Sequence, residues 1–356
     1  MPITLDDGIV FPFTFQELTQ AVNVLSNQYG RLTKSGLFTQ HRVRSKMVEI
    51  RIRNGVLTVL GTDRRGAPGA VHKGDNEVSY FIEAPHFPWS DELTPDDIQD
   101  MLAFPANAAS GVDMMPGVAP RTMQSEMNDI LERNRLNGDI TREYQFVSAL
   151  KGVLKDGNGN TLFDYYTELG NTQSTVDLVL GTSSTDVPGK FSALARSIAS
   201  KAKGEDVTGV RCLVNGALLD RILGHDSVKA YYANSGTLAL EALRNARVEG
   251  AEYKREFDIR GVILEEYDAE VNLASGSTEK LIEANAGYAY PEGTKRIFNE
   301  TLTPAHDVRA ANQPGTLYWV SPEEMKHGAG VELKFQMNGL ASNARPEVVE
   351  KIHSSD

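Results

Sequence analysis

Alternating apolar and polar residues predict a β-hairpin near residue 50. Ile50 and Ile52 alternate with charged residues, and a second apolar run that contains Leu57 and Val59 follows Asn54-Gly55. Because Asn-Gly between two such runs favours a two-residue turn, we expect Ile52 opposite Leu57 and Ile50 opposite Val59. The hairpin would then carry its apolar residues on one face and its charged residues on the other.

A further alternating strand, which contains Val78, Tyr80 and Ile82, follows a loop rich in glycine and proline at residues 61–69. Three such strands have little core of their own, so their apolar face must be covered by something else. The pattern leaves two interpretations open. Either the sheet packs on its own domain, or it projects as a ribbon and lies on a neighbouring subunit.

Helical spacing of apolar residues extends from Thr122 to Asp156, with a possible break at Asn137-Gly138. An unbroken helix of this length would span about 50 Å. A body of 356 residues has a similar diameter. The pattern therefore predicts a backbone for the whole molecule, and it leaves one helix, a bent helix or two helices as alternatives.

The other predicted elements complete a mixed α+β fold, with no repeat of 20 to 50 residues. Helices are expected at Phe15–Leu25 behind Thr14, from Thr94-Pro95-Asp96-Asp97 onward, and at Phe191–Ala202 behind Asp186 and Pro188; strands are expected from Leu162 to Tyr165 after the turn Lys155–Asn160, at Val210–Val214, at Phe257–Tyr267 and at Val331–Met337.

The charge and the cysteine content argue against several kinds of binding site. Lys and Arg number 36 against 48 Asp and Glu, a net charge of −12, which argues against a groove that grips nucleic-acid phosphates. The one cysteine, Cys212, lies in an apolar strand and allows neither an internal disulfide nor a thiolate zinc site. We expect a soluble, unexported protein, because the sequence has no apolar run of about 18 residues and no signal peptide at its start.

The sequence does not match the common motifs of catalysis and cofactor binding. Gly189-Lys190 is followed by Phe191, where a phosphate-binding loop needs Ser or Thr, and Asp156–Asn160 fits a hairpin turn better than a calcium loop. His225-Asp226 and His306-Asp307 are pairs of a kind that more often caps helices than catalyses a reaction. We therefore expect no catalytic, cofactor-binding or metal-binding residues, and no enzyme.

Four segments carry a resemblance that periodicity alone does not provide. They are Pro85–Gln99 (PHFPWSDELTPDDIQ), Ile222–Lys229 (ILGHDSVK), Ala289–Gly293 (AYPEG) and Asn343–Lys351 (NARPEVVEK). Together, and in this order, they resemble the lambda-type major capsid proteins of tailed bacteriophages, the capsid protein E family. The resemblance extends from about residue 40 to the C-terminus. The segment Ala311–Gly315 is a looser version of the corresponding family segment.

The resemblance implies the Hong Kong 97-like phage capsid fold. It implies an N-terminal arm at residues 1–40, an extended β-hairpin loop at 41–93, and an axial domain at 207–315. The peripheral domain with its spine helix would comprise residues 94–206 and 316–356. Within the extended loop, Ile50, Arg51, Ile52, Arg53, Arg64 and Arg65 are the candidate residues for contact with another subunit. The four arginines could equally be solvated edge charges.

By the same resemblance, the function is that of a major capsid protein. Hexamers and pentamers would form the icosahedral shell of a tailed phage, which encloses double-stranded DNA without sequence-specific binding. Scaffold, decoration and portal proteins are candidate partners, a membrane is not, and assembly in the host cytoplasm would place the product in the virion. The alternative is the shell of a cellular encapsulin-like nanocompartment. A net negative charge would limit adhesion of DNA to the wall.

Overall fold

The computed structural model describes residues 3–4, 10–11, 18–19, 30–53, 77–97, 123–234, 247–249 and 252–356. Within these ranges, the helices are α1 (Arg31–Ser35), α2 (Met123–Lys151), α3 (Tyr165–Glu168), α4 (Val187–Lys201), α5 (Gly216–Gly224) and α6 (Asp226–Asn234). Short 3-10 turns lie at Val308–Ala310, Lys326–Gly328 and Pro346–Val348. No helix of the described ranges has the length and apolar character needed to cross a membrane.

The described strands mix with these helices along the chain, and the predicted α+β class is confirmed. They are β1 (Ile3–Thr4), β2 (Val10–Phe11), β3 (Thr39–Arg42), β4 (Met47–Arg53), β5 (Glu77–Glu83), β6 (Phe87–Leu93), β7 (Val153–Lys155), β8 (Thr161–Asp164), β9 (Ser174–Asp177), β10 (Gly209–Val214), β11 (Arg247–Glu249), β12 (Glu252–Lys254), β13 (Glu256–Ile259), β14 (Val262–Glu266), β15 (Glu270–Asn272), β16 (Thr278–Lys280), β17 (Ala286–Glu292), β18 (Phe298–Leu302), β19 (Tyr318–Glu324), β20 (Val331–Met337), β21 (Gly339–Asn343) and β22 (Glu350–His353).

The long helix α2 is continuous through Asn137-Gly138 and, at 29 residues, spans about 44 Å. Glycine at 138 serves packing here: a Cβ at this position would collide with the ring of Tyr318. The Tyr318 hydroxyl then donates a hydrogen bond to Asp139 at 2.6 Å. The glycine that suggested a break in the helix is therefore a place where a sheet approaches the helix closely.

A six-stranded sheet, ordered β13-β14-β10-β17-β22-β9, is covered on both faces. Helices α4 and α5 bury one face, where Cys212 is fully enclosed and burial raises the pKa of its thiol. On the other face, Leu213 and Tyr288 belong to the same buried cluster as Val147 and Leu150 of α2. This arrangement agrees with the structural role expected for Cys212.

The predicted single strand Phe257–Tyr267 is wrong, because the chain reverses within it. Strands β13 and β14 pair antiparallel, with Ile259 opposite Val262. Arg260 and Gly261 form the turn with φ angles of 53° and 82°. Two successive positive φ angles suit the right-handed twist of a two-residue hairpin, and glycine tolerates them without strain.

Two three-stranded sheets pack along the rest of α2. The sheet β19-β20-β6 meets the N-terminal half of the helix through Met127, Ile130 and Leu131. The second sheet, β21-β18-β3, contacts the helix through β21. Helix α2 thus joins all three sheets, as expected for a molecular backbone.

The sheets cross the expected domain boundaries. Strand β6, at the end of the segment 41–93, pairs with β20 of the segment 316–356. The six-stranded sheet combines β9, β10 and β22, one strand from each of the segments 94–206, 207–315 and 316–356. The division into domains stays a prediction, and in the described residues its segments share hydrogen-bonded sheets.

Candidate assembly surface

The ribbon predicted near residue 50 is present as the two-stranded sheet β4-β5. Its register places Val48 opposite Ile82 and Ile50 opposite Tyr80. The described partner of β4 is thus the strand after the loop. The predicted turn Asn54-Gly55, together with Leu57 and Val59, lies outside the described residues.

The inner face of the ribbon is covered by its own subunit. Val48 and Ile50 are 3% and 5% exposed and belong to the same buried cluster as Leu37, Phe38 and Phe146. This corrects the expectation for Ile50 as a contact residue for another subunit, since its side chain is already packed on the body. Of the two interpretations drawn from the pattern, packing on the same chain holds for this face.

The outer face of the ribbon carries a large uncovered aromatic side chain. Phe81, opposite Glu49 in the register, is 66% exposed, and its diagonal neighbour Met47 is 39% exposed. A rim of polar groups surrounds them: Lys46 pairs with Glu83 at 3.0 Å, and Ser79 donates to Glu49 at 2.7 Å. We define Phe81, Met47 and this rim as the outer patch.

The sequence reasoning missed Phe81, although a signal was present. Tyr80, Phe81 and Ile82 are consecutive apolar residues, and in a strand such a run places apolar side chains on both faces. The other candidate contact residues of β4 are placed by their backbone, with Arg51 opposite Ser79, Ile52 opposite Val78 and Arg53 opposite Glu77. Arg64 and Arg65 lie outside the described residues.

The two histidine pairs have structural partners. His225 Nδ1 accepts the backbone N–H of Ser227 at the start of α6, and His225 Nε2 lies 3.1 Å from the carbonyl oxygen of Thr182. Asp307 accepts hydrogen bonds from Arg309 and from the indole of Trp319, and the Arg309 guanidinium lowers its pKa to about 2. Both arrangements hold turns in place.

The turn and cap predictions also agree with the geometry. Asp156 accepts backbone hydrogen bonds from Asn158 and Asn160 in the turn between β7 and β8. Thr94 and Asp97 cap each other's backbone where the predicted helix begins. Within the part of the chain that the structure describes, no three His, Cys, Asp or Glu side chains are grouped to hold a metal ion.

A cavity of about 210 Å³ lies between α2 and the segment that contains β16. Its charges are paired on its walls: Lys151 contacts Glu283 at 2.8 Å, and Lys155 contacts Glu279 at 2.9 Å. Burial disfavours the charged form of Glu279, but hydrogen bonds from Lys155 and Tyr144 outweigh it and lower the pKa. The Lys151 pair links the long helix to the residues after β16, and the Lys155 pair links β7 to the β15-β16 hairpin.

Solved structures show which fold the chain has. The chain is similar to a putative prophage capsid protein of Escherichia coli CFT073, with 9% identity, a TM-score of 0.54, and coverage of 96% of this chain and 99% of that one. It is also similar to a phage-related protein of Bordetella bronchiseptica RB50, with 11% identity, a TM-score of 0.50, and coverage of 95% and 96%. The fold is the Hong Kong 97-like fold of phage capsid proteins, as expected.

Sequence comparison then identifies the family. The family model described as phage major capsid protein E matches residues 14–353, so the chain belongs to that family. The major capsid protein of Pseudomonas phage KPP10 is 23% identical over 345 residues, which cover 95% of this chain and 96% of that protein. The major capsid protein of Salmonella phage Felix O1 is 22% identical over 368 residues, with 96% of each chain covered.

Proposed function

We propose that this protein is the major capsid subunit of a tailed phage, and that hexamers and pentamers of it build an icosahedral shell around double-stranded DNA. The observation that carries the proposal is the family match over residues 14–353. Its role is structural rather than catalytic, since the histidine pairs hold turns and the charges of the cavity are paired within the chain. The net charge of −12 suits a wall that does not bind the packaged DNA tightly.

The outer patch supports a contact between copies. A two-stranded ribbon is only marginally stable alone, and one face of β4-β5 leaves Phe81 in solvent. Covering apolar surface on a neighbour stabilises a complex by about 25 cal/mol per Å². We propose that this outer face lies on the next subunit of the shell, and that Arg51, Ile52, Arg53, Arg64 and Arg65 contribute further contacts between subunits.

The test is electron microscopy of particles assembled from the full chain, followed by nuclease digestion and analysis of their contents. Closed shells of uniform diameter are expected, and particles purified from infected cells should protect DNA of genome length. A chain that remains monomeric under all assembly conditions contradicts the proposal. Protection of an enzyme instead of DNA would favour the nanocompartment.

A further inference from the structure

A buried carboxylate of the long helix holds the segment that follows Gly30. Glu143 lies in α2 with its side chain fully enclosed. Its Oε1 atom accepts the backbone N–H groups of Arg31 at 2.9 Å and Leu32 at 2.8 Å. Its Oε2 atom accepts the N–H of Thr33 at 3.0 Å and the Thr33 hydroxyl at 2.8 Å.

This carboxylate replaces a missing local cap. Helix α1 begins after Gly30, which has no side chain to bond the first N–H groups of the helix, and such groups are costly to bury without an acceptor. Gly30 also has a φ of 95°, and a Cβ there would lie 2.5 Å from Glu143 Oε2. Residue 30 must therefore lack a side chain to leave room for the Glu143 carboxylate. The carboxylate, in turn, supplies the cap that glycine cannot provide.

The same group reaches the six-stranded sheet. Tyr267, which follows β14, donates its hydroxyl to Glu143 Oε1 at 3.0 Å. The guanidinium of Arg31 pairs with Glu265 of β14 at 2.8 Å. Glu265 in turn accepts a hydrogen bond from Arg211 of β10 at 2.7 Å. Three parts of the subunit, namely α1, α2 and the six-stranded sheet, thus meet at one carboxylate.

We propose that Glu143 is a positioning residue for assembly, which fixes α1 and the six-stranded sheet against the long helix so that these three parts keep one arrangement in every subunit that enters the shell. The proposal rests on the proposed capsid function. It assigns to Glu143 a role beyond stability: a change there should broaden the range of particle sizes, because curvature of a shell depends on the relative orientation of the parts of each subunit.

The test uses Glu143→Gln in the full chain. The amide keeps one acceptor but places N–H donors against the donors of Thr33. We expect amide hydrogen exchange at residues 31–33 to accelerate on the order of tenfold or more, and assembled particles to vary in diameter. The exchange is measured on unassembled protein, so it reports on the anchor even if the wild-type chain forms no shells and the proposed function fails.

Two further variants complete the test. Leu194→Ala removes buried volume from the core between α4 and the six-stranded sheet, away from Glu143, and is expected to destabilise the subunit while particle diameters stay uniform. Tyr267→Phe removes one donor, keeps the carboxylate, and supplies a milder version if Glu143→Gln does not fold. Unchanged exchange at residues 31–33 overturns the proposal, and so do uniform particles from Glu143→Gln or equal size variation in Leu194→Ala.

Discussion

The six-stranded sheet and the ribbon β4-β5 differ in how much of each the chain covers by itself. Helices α4 and α5 cover one face of the six-stranded sheet, and α2 packs on the other. The ribbon has Ile50 in the core on one face and Phe81 in solvent on the other. The six-stranded sheet stabilises the subunit through both of its faces, whereas the ribbon has one exposed face, which we propose contacts another copy.

The largest expected effect is on the inner face of the ribbon. Ile50→Ala should lower the free energy of unfolding of the unassembled chain by about 2–5 kcal/mol, because it leaves a cavity in a packed cluster. Denaturant unfolding measures this loss in free energy, and the loss caused by Leu264→Ala in the six-stranded sheet serves as the reference. A loss well under 1 kcal/mol at Ile50 would mean that the ribbon does not pack on its own body.

A smaller loss is expected where the long helix meets the sheet β19-β20-β6. Gly138→Ala should destabilise by about 1–3 kcal/mol, since the added methyl group collides with Tyr318 despite the better helix propensity of alanine. Gly224→Ala is the matched control, because open space surrounds that glycine of α5. Thermal unfolding of both variants measures this loss. If Gly138→Ala were as stable as Gly224→Ala, Tyr318 would be able to move aside without cost.

A pH-dependent effect is expected at Asp307. The fold, chiefly through Arg309, lowers the pKa of this carboxyl from 3.8 to about 2. The resulting stability is present above about pH 3.8 and is lost as the pH falls towards 2. Asp307→Asn should therefore be less stable than wild type at pH 6, and the difference should shrink towards pH 2 in unfolding curves. A difference that stays constant across this range contradicts the assignment.

The smallest effect on unfolding is expected on the outer patch, together with a large effect on assembly. Phe81→Ser should change the free energy of unfolding by no more than about 0.5 kcal/mol, because the ring is mostly in solvent. The yield of closed particles, measured by electron microscopy, should fall sharply. Leu162→Ser, which alters another exposed apolar residue, on β8, is the matched control and should assemble normally. Normal shells from Phe81→Ser would remove the outer patch from the interface.

Elements with strong local signals were predictable from the sequence. Strand β20 alternates as expected, and α4 begins behind Asp186, whose side chain accepts the N–H of Gly189. The turn predicted at Asp156–Asn160 is present as well, although the strand before it, β7, lies where the helical pattern predicted the end of the long helix. In these places, side-chain periodicity and capping act within a few residues, so neighbours in the sequence contain the necessary information.

Other features depended on contacts that are distant in the sequence. The hairpin at Arg260-Gly261 was missed because an apolar run on each side resembled one long strand. Gly138 suggested a break, whereas its partner Tyr318 is 180 residues away. Glu143 had no local signal either, since the N–H groups that it caps belong to residues 31–33.

The sequence by itself determined the α+β class, the positions of α2, α4, β10 and β20, and, through four short segments, the resemblance to a capsid family. Only the tertiary structure decided which face of the ribbon is covered. Alternation in a strand defines two faces but not which of them is buried. That choice depends on the volume and position of side chains such as Phe38 and Phe146, which the folded chain brings against Ile50 and not against Phe81.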